Sequence, residues 1–170
     1  MIARILLVVA QGFGVGRIRF APGTFGSFLG LLWFLVLLWP RHFGVFAAGA
    51  LGGVLVSVWI CGAAERLLGR TDPPSVVLDE MVAVPLCYAG WVTGLWLKTG
   101  DMPSPHLWFA GPGWWGTAGV FVAFRLFDIR KPWPINTSQR LPGGWGVTLD
   151  DVIAAGYVNA AVAVLWWFAR

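Results

Sequence analysis

The chain has 170 residues, of which 58% are hydrophobic and only 12% charged, about half the charged share of an ordinary globular domain. With a mean hydropathy of +0.73 and twelve Trp and twelve Phe, it is not a disordered chain, a coiled coil or a water-soluble globule; so many aromatic rings suit a bilayer interface. The formal charge of +4 sits on Lys and Arg flanking apolar stretches, which is the membrane use of positive charge and not the footprint of nucleic-acid binding.

In chain order, residues 1–10 (MIARILLVVA) are too short to cross a bilayer and read as an interfacial helix, with a signal peptide as the alternative. Five later stretches approach the about 20 apolar residues that a span requires: 24–39, 43–64, 81–97, 107–124 and 152–169. The first is short but uncharged, and the second is the clearest. The fourth is interrupted by Pro112 and several glycines, a pattern that also suits a re-entrant segment. The expected fold is all-α: a polytopic transmembrane helical bundle of about four to five spans, with an N-terminal interfacial helix, forming one membrane-embedded domain over residues 1–170. Cys61 and Cys87 lie inside apolar stretches without CxxC or zinc spacing and read as small buried hydrophobes.

Alternating the spans from a cytoplasmic N-terminus puts Arg4, Arg17, Arg19, Arg66, Arg70, Arg125, Arg130, Lys131 and Arg140 inside, and Arg41, Lys98 and Arg170 outside. That bias favours the N-in orientation. Every acidic residue except Asp101 then falls on the cytoplasmic side, although acids contribute little to orientation. Three polar segments share that face: 72–80 (DPPSVVLDE), 124–135 (FRLFDIRKPWPI) and 143–151 (GGWGVTLDD). Asp79, Glu80, Asp128, Asp150 and Asp151 can therefore converge, and carboxylates brought together repel unless a cation binds them or some stay protonated. All-oxygen ligands select a hard ion, for which Mg²⁺ is the natural choice. Arg125, Lys131 and Arg140 are placed to hold a phosphate beside it. The carboxylates at helix starts also suit capping and the helix dipole. Gly143, Gly144 and Gly146 let backbone approach a ligand closely or simply form a loop. His42 and His106 lie away from this cluster and read as interfacial.

Three blocks carry a family likeness: Gly12 to Gly16 with Ala21-Pro22-Gly23-Thr24-Phe25-Gly26-Ser27; Asp72-Pro73 to Asp79-Glu80; and Phe124 to Asp151, with Phe-Arg-x-Phe-Asp-x-x-Lys-Pro-x-Pro-Ile, Gly-Gly-x-Gly and Asp-Asp. On these the chain resembles the phosphatidylglycerophosphatase A family of bacterial membrane phosphatases. The resemblance implies Mg²⁺-dependent hydrolysis of phosphatidylglycerophosphate, a phospholipid, to phosphatidylglycerol and phosphate at the cytoplasmic face of the inner membrane. The match covers Asp79, Glu80, Arg125, Asp128, Lys131, Asp150 and Asp151, and departs at Gln139, where an Asp is expected before the arginine. The expected chemistry is metal-assisted attack by water, with a carboxylate such as Asp128 or Asp151 as base and Lys131 on the phosphoryl oxygens. A variant has Asp128 as nucleophile. No Cys-x5-Arg is present, since Cys61 and Arg66 are one residue too close, and no His stands near Arg125, Arg130, Lys131 or Arg140 in the sequence. The alternative from another class is a membrane carrier using the carboxylates as a cation path. Carriers place such groups near the midplane, whereas here they fall at the ends of the spans.

Overall fold

The structure, a computed structural model, describes residues 1–168; the last residue of the 152–169 stretch, and Arg170, lie outside the described residues. Those residues are helical, with no strand among them. The order is α1 (Ile2–Ala10), a 3₁₀ segment (Gly12–Arg17), α2 (Pro22–Leu38), α3 (Phe43–Leu68), α4 (Leu78–Cys87), α5 (Ala89–Thr99), α6 (Pro105–Phe109), α7 (Gly113–Arg130), α8 (Ile135–Ser138) and α9 (Gly144–Phe168). Three helical stretches are long and apolar enough to cross a membrane: α3, the α4–α5 unit over Leu78–Thr99, and α9. They correspond to the expected spans 43–64, 81–97 and 152–169. The 24–39 stretch forms α2, an apolar helix of 17 residues.

The 107–124 stretch is divided. Gly111 takes φ +59° and Pro112 follows it, so α6 ends and α7 begins on a turn. Trp108 of α6 is buried edge-on to Phe34 and Tyr88, at ring distances of 5.5 and 5.6 Å. Phe34 and Tyr88 stack at 4.3 Å. The Tyr88 hydroxyl donates to the Thr117 carbonyl at 2.9 Å, and the Thr117 hydroxyl donates to the Trp108 carbonyl at 2.7 Å. This centre therefore ties α2, the α4–α5 junction, α6 and α7 together, with the Tyr88 and Thr117 hydroxyls satisfied as an apolar surrounding demands.

Elsewhere the helices close on small residues. Side chains on α2 would collide with α4: a Cβ on Gly26 would fall 2.7 Å from Val77, and one on Gly30 would fall 2.6 Å from Val84 and 2.8 Å from the Met81 carbonyl. Glycine removes the obstacle, as is common where helices pack in a bilayer. Met81 is four residues before Pro85, which has no N–H to offer that carbonyl. The helix breaks soon afterwards, between α4 and α5. Asn159 of α9 repairs the break: its Oδ1 accepts from the Gly90 N–H at 2.8 Å and its Nδ2 donates to the Leu86 carbonyl at 2.8 Å. In hydrocarbon every backbone group must find such a partner.

The helix ends sort into two groups. The starts of α2, α4 and α9 meet the ends of α3 and α7, as shown by Gly62 against Gly144 and by the 3.0 Å hydrogen bond between the Ser57 and Thr148 hydroxyls. At the opposite end, Phe43 stacks on Trp96 at 4.1 Å and Arg41 donates to the Met102 carbonyl at 3.3 Å. The exposed His42 and His106 belong to α3's start and to α6, away from the carboxylates. Cys61 and Cys87 are buried and free. The outward faces of α2, α3 and α9 are apolar, with Leu32, Val36, Leu51, Leu55 and Leu165 exposed. Asn159→Leu leaves the Gly90 and Leu86 backbone groups unpaired; it is expected to destabilise the protein by about 1–2 kcal/mol, read as a lower thermal midpoint in detergent.

Candidate active site

The buried charges collect at one end of the bundle. Asp79 and Glu80 stand in the first turn of α4. Asp150 and Asp151 lie about two turns inside α9, because that helix starts at Gly144 and not near 152. End-capping therefore does not account for them; both are buried. Asp128 is buried near the end of α7. Successive helical residues point about 100° apart, so Asp150 and Asp151 face different neighbours.

Asp79, Glu80 and Asp151 form one group, offering carboxylate oxygens that all lie within 4.8 Å of one another. Asp79 Oδ1, Glu80 Oε2 and Asp151 Oδ1 are buried with no hydrogen-bond partner among the described residues. Three carboxylates at this spacing, each with an open buried oxygen, fit a metal ion that takes hard oxygen ligands, and they are the residues that could hold one. The other two carboxylates are engaged. Asp128 Oδ2 pairs with Arg125 Nη1 at 2.7 Å. Asp150 Oδ2 receives Lys131 Nζ at 2.6 Å and Gln139 Nε2 at 3.1 Å, and its Oδ1 receives the Asp151 N–H at 3.0 Å. Burial works against the Lys131 ammonium, but the hydrogen bond to Asp150 and the charges of Asp150, Asp128 and Asp151 outweigh it and hold the lysine above its usual range. It is a fixed cation at neutral pH.

Arg125 brings a donor to the same place. Its Nη1 also donates to the Ser27 hydroxyl at 3.2 Å, while its Nε is buried without a partner among the described residues. Ser27 in turn donates to the Gly23 carbonyl at 2.9 Å. Gly23 itself abuts the carboxylate of Glu80, leaving no room for a Cβ, and such a Cβ would stand 3.2 Å from Arg125 Nη2. The start of α2 is thus a wall of the site. Among the expected site residues, the structure brings Asp79, Glu80 and Asp151 into one group, joins Arg125 to Asp128 and Lys131 to Asp150, and puts Arg140 exposed after α8. The glycines at 143–146 approach backbone and not an open cradle: Gly143 takes φ +59° to begin α9, and Gly144 packs against Val58 and Gly62 of α3. Gly23 and Ser27 are the residues that sequence reasoning did not place in the site, and Gln139, noted there only as a departure from the family pattern, donates to Asp150. The Ala21 to Ser27 block was the signal for Gly23 and Ser27.

Against known proteins, the family model described as phosphatidylglycerophosphatase A matches residues 8–166. The chain belongs to the phosphatidylglycerophosphatase A family. It is 31% identical to phosphatidylglycerophosphatase A of Escherichia coli over 157 residues, covering 91% of this chain and 79% of the relative. It is 32% identical to phosphatidylglycerophosphatase A of Haemophilus influenzae over 162 residues, covering 94% and 88%. It is also 32% identical, over 95% of this chain and 93% of the relative, to a Bacteroides thetaiotaomicron protein provisionally named a phosphatidylinositol-3-phosphatase. No solved structure matches the chain. As a member of this phosphatase family the chain is an enzyme, and its requirement for glycine at position 23 is steric. Gly23→Ala pushes Glu80 and is expected to lower phosphatase activity by about tenfold or more, ~1.4 kcal/mol in the barrier, with the circular-dichroism spectrum unchanged.

Proposed function

We propose that this chain hydrolyses phosphatidylglycerophosphate to phosphatidylglycerol and inorganic phosphate, with Mg²⁺, at the cytoplasmic face of a bacterial inner membrane, as a step of phospholipid biosynthesis. The observation that carries this reading is the meeting of three partnerless carboxylate oxygens with a partnerless guanidinium N–H, all buried at one end of an apolar bundle. The first set suits a cation and the second suits an anionic oxygen. A phosphomonoester with its metal satisfies both. The family's name and the relatives' names supply the substrate.

Asp79, Glu80 and Asp151 would hold the ion, which when bound supplies charge neutralisation for the phosphoryl group and makes water more acidic. Arg125 Nε and the Lys131 ammonium bind non-bridging phosphoryl oxygens and stabilise the charge that develops there. Arg140, exposed after α8, meets the phosphate from the solvent side. Asp150 and Gln139 keep Lys131 in place, since Asp150 has both oxygens committed. Asp128, held through Oδ2 by Arg125, accepts the proton of the attacking water. Burial at the bundle end sets this chemistry at headgroup depth. The bilayer arrangement we infer is one domain over 1–170 with four to five spans, counting α2 and the α6–α7 unit beside the three long helices. In it α1 lies in the interface, with Ile2, Ile5 and Val8 outward.

The deciding experiment is phosphate release from phosphatidylglycerophosphate by the purified protein, with Mg²⁺ and with EDTA. Release only with Mg²⁺ is expected, and none from folded protein refutes the reading. Asp151→Asn is expected to remove Mn²⁺ binding, followed by paramagnetic resonance, together with turnover. Asp150→Asn keeps the ion and loses about 10–100-fold in rate, because it acts through Lys131. Direct attack by water inverts configuration at a chiral phosphorothioate substrate, whereas a phosphoryl-Asp128 intermediate gives retention. The orientation is tested with Arg70→Cys, which reacts with an impermeant maleimide in inside-out vesicles and not in right-side-out ones.

A further inference from the structure

The outer surface of the bundle carries a groove between α7 and α9. Its wider part, about 620 Å³, has Gly90 and Trp91 of α5 as a floor and Gly116, Gly119 and Val158 on its sides. A second part of about 460 Å³ continues from it, sharing Ala123 and Ala161, and ends at Phe127, Arg130 and Pro132. From Gly116 to Arg130 the helix rises about 21 Å, enough to run from headgroup level past the middle of a hydrocarbon core about 30 Å thick. The groove is apolar along its length and cationic at one end. Arg130 is exposed there and makes no ion pair among the described residues.

That end adjoins the catalytic site. Lys131 follows Arg130 directly and takes a left-handed φ of +42°, which ends α7 and lets its ammonium reach Asp150. Two consecutive cations therefore diverge, one into the site and one over the mouth of the groove. Phosphatidylglycerophosphate has matching chemistry: a terminal phosphomonoester, one glycerol away from a phosphodiester that carries two acyl chains. We propose that the α7–α9 groove holds one acyl chain of the substrate, with Arg130 on the phosphodiester while Lys131 takes the terminal phosphate. This rests on the substrate reading above and adds the site that recognises the lipid part. The occupant is a lipid and not a helix of a second copy, because the cation at the mouth complements an anionic headgroup.

The test uses binding, not turnover. The full chain in phosphatidylcholine nanodiscs, in EDTA, is irradiated with phosphatidylglycerophosphate bearing a diazirine midway along one acyl chain, and adducts are mapped by mass spectrometry. Adducts are expected on the 116–123 and 158–165 segments, displaced by excess unlabelled phosphatidylglycerophosphate but not by excess phosphatidylcholine. Arg130→Gln is expected to weaken that competition about tenfold, Arg130→Lys to retain most of it, and Ala161→Phe to block labelling by filling the groove. Adducts elsewhere, equal displacement by phosphatidylcholine, or cross-links between two copies across the groove each overturn the proposal. Specific labelling by a protein that releases no phosphate would keep the groove and sink the phosphatase reading; release without groove labelling would do the reverse.

Discussion

Like-charge repulsion among buried carboxylates is the constraint around which this molecule is arranged. Five acids gather at one end of an apolar bundle, and two of them are answered by Arg125 and Lys131. The remaining three face one another with open oxygens. In surroundings of low polarity such an arrangement is unfavourable unless a cation enters it. The same electrostatics that would oppose folding thus suits the group to a cation, and the two ion pairs keep Arg125 and Lys131 beside it.

Holding those oxygens still is the task of close backbone packing. Gly26 and Gly30 bring α2 onto α4, Gly144 brings α9 onto α3, and Gly23 confines the Glu80 carboxylate. The aromatic centre of Phe34, Tyr88 and Trp108 joins α2 and the α4–α5 junction to α6 and, through Thr117, to α7. Each helix that carries a site residue is therefore positioned by a contact with little freedom to shift. A site on such elements keeps its geometry better than one on loops.

Much of this was legible in the residues and some of it was not. Hydropathy marks α3, α4–α5 and α9, because a span is a matter of length and apolarity. Alternation of spans brings Asp79, Glu80 and Asp151 to one end, as found. What a linear pattern does not reveal is the difference between Asp150 and Asp151: adjacent in sequence, they are turned apart by the helix, one toward Lys131 and Gln139 and the other toward Asp79 and Glu80. The true start of α9 was hidden by Gly144 and Gly146, which look like loop residues but serve helix contact. The 107–124 stretch is apolar enough for a span, yet Gly111 and Pro112 divide it and Trp108 anchors the short piece. Ser27 and Gly23 carry no charge, so no chemical pattern announces them.

The wide sequence separation of the carboxylates has a consequence in time. About 70 residues part Glu80 from Asp151, and a chain made from its N-terminus delivers the α4 pair to the bilayer well before the last helix is complete. Until α9 arrives, Asp79 and Glu80 lack the third member of their group, while Asp128 and Lys131 are also still to come or newly emerged. Docking of the final helix is thus the step that completes the carboxylate group.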